Sequence, residues 1–218
     1  SSYRLTISPS INETLYDSFP KLSDIFTSSS LGIITKRDKL ATAFTHQELQ
    51  QQVVTFLNPD IPANVVCDQF KIPLKDNDKW DAEKVRQILP VSQAIEAIRP
   101  LYYRPFDLRY VSYVDDLVAR RNIKVMSNFQ QDNLGLVVGR QGQAVEGPYW
   151  NLVSITTTIS DQNVFYRGGG TVFPLFSISD GNKKTLNIQP DALKTLTKNL
   201  TVQAAPTNLF DYIFAILH

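Results

Sequence analysis

One cysteine and two histidines in 218 residues leave little material for several common chemistries. Cys67 alone cannot form a disulfide framework, and it fits a reducing compartment such as the cytoplasm. With His46 and His218 as the only imidazoles, a zinc site or a Ser-His-Asp triad is improbable. No apolar run approaches the ~20 residues of a membrane span, and no signal-peptide pattern opens the chain. Net charge is missing too, because 22 Lys plus Arg nearly cancel 21 Asp plus Glu. Bulk electrostatics therefore give no argument for nucleic acid, and any polyanion contact must come from local clustering or a partner domain. The only methionine is Met126, so Ser1 is not a natural translation start. Residues 209–217 form an apolar helical pattern that stops at His218 without a cap or breaker, and the sequence reads as a piece of something longer.

Catalytic signatures are absent as well. A methyltransferase using S-adenosylmethionine needs a glycine-rich loop and an Asn/Asp-Pro-Pro-aromatic motif to grip a flipped base. Asn58-Pro-Asp60 lacks the second proline and the aromatic, and reads as a turn that ends a helix. No lysine has an acidic residue two positions before it, as metal-dependent nucleases of the common restriction type require. Lys183 and Lys184 lack the glycines of a phosphate loop. Asp107, Asp115 and Asp116 could hold a metal if they converged, but Asp115-Asp116 reads better as a turn.

What is present is a core-forming chain, 43% hydrophobic, large enough for one large domain or two small ones. Residues 1–100 read as a strand-loop and helical part, and residues 101–218 as a sheet-rich core with closing helices. Tyr3–Ile7 has strand composition, and Gly32–Ala43 reads as a strand-loop element. Thr45-His-Gln-Glu48 is a capping box before a helical stripe of Leu49, Val53, Phe56 and Leu57. Further helices are expected at Asp81–Leu89 and from Val91 up to Pro100. Strands are expected at Arg109–Val114, Leu134–Gly139, Leu152–Ile159, Asn163–Tyr166 and Thr171–Ser177. The consecutive apolar residues of Leu134–Val138 predict a central strand. Helices near Asp191–Leu200 and Asn208–Leu217 close the chain. This order predicts an α+β fold with a mixed or antiparallel twisted sheet and flanking helices.

Leu101-Tyr-Tyr-Arg-Pro-Phe-Asp-Leu-Arg-Tyr110 concentrates the chemistry. Arg104 and Arg109 stand among aromatics with Asp107 between them. Two readings stand for Arg104: a structural pair with Asp107, its stem packed on tyrosines, or a clamp for phosphate oxygens and guanine edges. Other cations and amides lie in connecting segments: Lys36 and Arg37, Arg120, Arg121 and Lys124, Arg140 with Gln141 and Gln143, and Arg167 before three glycines. Loops on a rigid sheet are where recognition groups usually sit. Taken one at a time, each is an ordinary solvated charge.

Five segments in order resemble one family. They are Gly32-Ile-Ile-Thr-Lys-Arg-Asp38, Tyr103-Arg-Pro-Phe-Asp107 with Arg109, Met126 with Asn133-Leu-Gly-Leu136 and Arg140-Gln141, Phe173-Pro-Leu-Phe176, and Phe210–His218. Together they resemble the C-terminal specificity domain of Type ISP restriction-modification enzymes and related adenine-specific DNA methyltransferases. That resemblance implies a target-recognition-domain fold and a non-catalytic, sequence-specific reader of double-stranded DNA. It also implies a methyltransferase domain in the same bacterial-type polypeptide, which would carry the S-adenosylmethionine, with this fragment holding no cofactor or metal of its own. The DNA-contacting candidates are then Lys36, Arg37, Arg104, Arg109, Arg120, Arg121, Lys124, Arg140, Gln141, Gln143 and Arg167. A coupling domain that docks on the methyltransferase without touching bases, and a metal enzyme using Asp107, Asp115 and Asp116, are the rival readings.

Overall fold

Two of the expected helix starts carry the caps their sequences predict. In the computed structural model, which describes residues 20–139, 152–165, 169–179, 183–198 and 205–217, the Thr45 hydroxyl accepts from the Glu48 N–H at 3.1 Å. That cap opens the helix His46–Leu57, which buries Leu49, Val53, Phe56 and Leu57 at helical spacing. The box closes one residue early, because the Glu48 carboxylate accepts from the Phe44 N–H at 3.2 Å. Asp81 caps Ala82–Ile88 by accepting from the Glu83 and Lys84 N–H groups. Between these helices lies Ala63–Phe70, which the sequence reading did not anticipate. Its Val-Val-Cys run has low helix propensity, and burial of Val66, Cys67 and Phe70 in the helical core overrides it.

The next helix ends sooner than expected. Val91–Glu96 gives way at Ile98 to a strand, and Pro100 lies inside that strand instead of closing the helix. With β1 (Ser30–Leu31) and β2 (Thr42–Ala43) before it, β3 (Ile98–Arg104) pairs antiparallel with β4 (Asp107–Ser112). Next come β5 (Gly135–Val138), β6 (Val153–Thr156), β7 (Ile159–Ser160) and β8 (Thr171–Pro174). β9 (Phe176–Ser179) and β10 (Lys183–Leu186) form a hairpin. The parallel ladder from β3 to β7 involves only Leu101 and Tyr102, so the N–H missing at Pro100 breaks no pairing there.

Among the described residues the strands form two four-stranded sheets, ordered β2-β4-β3-β7 and β1-β8-β5-β6, beside the β9–β10 hairpin. The chain therefore has the α+β class expected from its sequence. β5 is central, and Leu136 and Val137 are fully buried, as the unbroken apolar run predicts. Three strand expectations need correcting. The run 152–159 divides at Thr157–Thr158 into β6 and β7, which belong to different sheets. Residues 163–165 follow the bridge at Asp161 as a turn, with the Val164 N–H on the Asp161 carbonyl. The run 171–177 breaks at Leu175 into β8 and β9. The expected strand Tyr3–Ile7 lies outside the described residues.

Three apolar clusters hold these layers. One packs the helices around Phe56 and Trp80 against Ile98 and Leu117. Another lies around Leu101, Ile159 and Val172, and the third joins Leu136 and Phe173 to the helix Pro206–Leu217. A division at residue 100 falls within β3. No helix among the described residues is long and apolar enough to cross a membrane.

Candidate nucleic-acid interface

The aromatic segment folds as the β3–β4 hairpin, with Pro105 and Phe106 at its tip. Phe106 adopts a left-handed backbone (φ 63°) and its side chain is wholly exposed. Arg109 donates to Asp107 through Nε and Nη2, at 2.8 Å for the shortest contact. Its guanidinium lies 3.8 Å from the Tyr103 ring centre and 4.5 Å from that of Phe44. Arg109, not Arg104, is thus the arginine paired to Asp107. Arg104 instead donates to Asp161 at 2.7 Å and to the Tyr103 carbonyl, with its guanidinium 3.9 Å from the Tyr103 ring centre. Both arginines therefore make cation–π contacts with the Tyr103 ring. The expected partner was wrong because β3 pairs with β7, which brings the residue after Ser160 to the end of β3.

Asp161 is buried. Burial pushes its carboxyl above the usual carboxylate range, while Arg104 and the Asn163 N–H pull it back. The segment beginning at Gly32 arrives at the same place. The Ile33 N–H donates to the Ser160 carbonyl and the Gln162 N–H to the Ile33 carbonyl, both at 2.8 Å. Gly32 has to be glycine, since a Cβ there would lie 2.5 Å from the Asp161 carbonyl carbon. Further along, the hydroxyls of Thr35 and Tyr103 both donate to the Asp38 carboxylate, Tyr103 at 2.6 Å. Burial, reinforced by Asp38, pushes the Tyr103 hydroxyl up to about 12. Two segments 65 residues apart in sequence are thus joined side chain to side chain.

Arg37 is placed differently from a surface cation. It is 3% exposed, donates through Nη1 to Asp76 at 2.8 Å, and sits 4.3 Å from the Trp80 ring centre. The other oxygen of Asp76 accepts from the Asp78 and Trp80 N–H groups, so Arg37 fixes the 76–80 turn. Burial lowers its pKa while Asp76 raises it, and a guanidinium stays charged throughout. Its Nε is buried without a hydrogen-bond partner among the described residues.

Lys36, exposed and left-handed at φ 59°, pairs with Asp78. Hydrogen bonding from Lys36 holds the Asp78 carboxyl below its ordinary value, with smaller contributions from Arg120 and Arg37. Arg120 is exposed and exchanges both backbone hydrogen bonds with Ile34. Lys36, Arg37 and Arg120 therefore gather around one loop. Arg121 does not join them; it clamps Asp115 with two 2.6 Å bonds. Lys124 is exposed on the short helix Ile123–Met126. Arg140, Gln141, Gln143 and Arg167 lie outside the described residues. Asp107 and Asp115 are each occupied by an arginine, and the described residues contain no cluster of three or more His, Cys, Asp or Glu placed to hold a metal.

The convergence leaves a cleft of about 410 Å³ between the Lys36–Lys39 segment, the end of the helix Ala63–Phe70 and the tip of β3. Lys36, Arg37, Lys39, Lys71 and Arg104 line it, against the carboxylates of Asp38 and Asp161. The sequence reading missed Lys39, Lys71 and Asp161. Lys39 is a visible cation two residues past Arg37 but was not among the DNA-contacting candidates, whereas Lys71 and Asp161 join the site only through tertiary folding.

The profile of the family described as Type ISP C-terminal specificity domain matches residues 24–218. No curated protein matches the sequence. The fold is similar to part of the DrdV–DNA complex (TM-score 0.64, 19% identity), over 89% of this chain and 19% of that one. A nuclease-deletion mutant of the Type ISP restriction-modification enzyme LlaGI, solved with a DNA substrate mimic, matches at TM-score 0.59 and 19% identity, over 95% and 20%. The ATP-dependent Type ISP enzyme LlaBIII bound to DNA matches at 0.64 and 18%, over 89% and 13%. The chain spans a fifth or less of each of these structures.

Proposed function

This chain belongs to the family of Type ISP C-terminal specificity domains, and we propose that it is a sequence-specific, non-catalytic reader of double-stranded DNA. The observation that carries this reading is the family match over residues 24–218, nearly the whole described fold. Its geometry supports the role: exposed cations at Lys36 and Arg120 lie on connecting segments of a sheet framework, with Lys124 exposed on a short helix and a cationic cleft at the end of β3. The wider reading is a longer cytoplasmic polypeptide in which a methyltransferase domain binds S-adenosylmethionine and modifies adenine. Motor and nuclease functions would belong to other parts of that polypeptide. DNA affinity is then shared, which accommodates a net charge of only +1.

The test is a fluorescence-anisotropy titration of labelled duplex at two salt concentrations. Weak binding that vanishes with salt is expected, with a log–log slope near −3.5 for ~4 phosphate contacts. No binding even at low salt would overturn this reading. It would favour a coupling domain that docks on the methyltransferase through the exposed Phe44, Phe106 and Leu108 of the hairpin region.

A further inference from the structure

We propose that the cleft between the Lys36–Lys39 segment, Lys71 and Arg104 seats a phosphodiester of the DNA backbone, with Lys39 and Lys71 as the direct contacts. This inference rests on the recognition reading above and assigns a site within it.

Charge selects the ligand. Five cations line the cleft against two carboxylates, and both carboxylates are already engaged by neighbours. Asp161 accepts from Arg104 and the Asn163 N–H, and Asp38 accepts from the hydroxyls of Thr35 and Tyr103. Lys36 and Arg37 have their own partners in Asp78 and Asp76. Lys39 and Lys71 have no carboxylate partner among the described residues, and both are exposed. They are the charges available to an incoming anion.

Two further observations point to a ligand and not to a solvated face. The first is Arg37, which lines the cleft while 3% exposed and leaves Nε without a hydrogen-bond partner. A buried donor left unmade is costly, and Arg37 sets that unsatisfied donor in a residue that forms the cleft wall. The second is backbone strain. Lys36 (φ 59°) and Lys71 (φ 51°) both hold the left-handed conformation, and Lys71 occupies the helix-end position that usually carries glycine. Such strain concentrates at binding sites.

Small-molecule sites are mostly apolar, and this lining is mostly charged, so a polyanion suits it better. Phosphate contacts position a protein on DNA without reading sequence. The cleft is accordingly an anchor, and specificity has to come from other residues.

The test compares the native chain with Lys39→Gln/Lys71→Gln, using Lys194→Gln/Lys198→Gln as a control of equal charge change away from the cleft. Duplex affinity is measured by anisotropy across a salt series. The cleft variant should lose about tenfold in affinity at low salt, equally for unrelated duplexes. Its log–log slope should shrink by about 1–2, since each phosphate contact contributes ~0.9. The control should match the native chain. A native chain that binds duplex while the cleft variant keeps the same affinity and slope overturns the cleft and leaves the recognition reading standing. A native chain that binds no duplex overturns both. Inorganic phosphate, tested at matched ionic strength, separates the two sources of phosphate chemistry. If it raises the Tm of the native chain but not of the variant while duplex affinity is equal in both, the cleft belongs to a free anion and the proposal fails.

Discussion

At the scale of single residues, Arg104 and Asp161 show how folding decides what a charge does. Arg104→Ala removes the cation beside a buried carboxylate and leaves Asp161 with only the Asn163 N–H. Because Arg104 is itself a third exposed, the expected loss is ~2–3 kcal/mol, at the lower end for a broken buried pair. Adding Asp161→Asn to that variant should recover most of the loss, since no charge is then stranded. Urea denaturation of the two variants at pH 7 measures this, and equal losses would contradict the pairing. Protonation gives an independent check. Asp161 has its folded pKa raised by burial, so its ionised form is the one the fold disfavours. Below the unfolded value of ~3.9 the group is neutral in both states and contributes nothing; as pH rises past it, the unfolded chain ionises first and the native fold loses stability. The Tm of Asp161→Asn minus that of the native chain should therefore increase from pH 3 upward and level off by neutrality. A difference that falls over that range would show that the carboxylate is held low instead.

At the scale of elements, the join between the Gly32–Ile34 segment and β7 depends on close backbone approach. Gly32→Ala would place a Cβ 2.5 Å from the Asp161 backbone, where no flexible side chain can yield. The segment would have to move, and with it the bonds from Ile33 to Ser160 and from Gln162 to Ile33. A loss of ~2–3 kcal/mol is expected, within the large end of single-residue effects. A Tm unchanged within one degree would show that the approach is looser than described. What the sequence revealed follows the same division between local and distant. The Thr45 and Asp81 caps, the buried stripe of His46–Leu57 and the central β5 were legible because they depend on neighbours in sequence. Helix Ala63–Phe70 was hidden because packing overruled propensity, and β3 because Ile95 and Ile98 keep helical spacing while β4 pulls the chain into a sheet. Arg104, Arg109 and Lys36 were visible as candidates. The pairing of Arg104 and Lys36 was not, because their partners Asp161 and Asp78 lie 57 and 42 residues away.

At the scale of the whole molecule, a nearly neutral chain is asked to hold a strongly charged ligand. Many of its cations are locally balanced: Arg109 by Asp107, Arg121 by Asp115 and Arg104 by Asp161. Lys39 and Lys71 at the cleft, and Arg120 beside it, have no such partner among the described residues. Under the proposed function such a module would bind weakly by itself and contribute orientation and sequence choice within a longer enzyme. The central claim is that this domain reads DNA sequence without performing chemistry. Its most direct test is selection of bound duplexes from a randomised library at low salt, followed by sequencing. Enrichment of one short asymmetric motif is expected, with the recovered strands uncleaved and unmethylated in the presence of magnesium, ATP and S-adenosylmethionine. A pool that is retained without any sequence preference, or that is not retained at all, would contradict it.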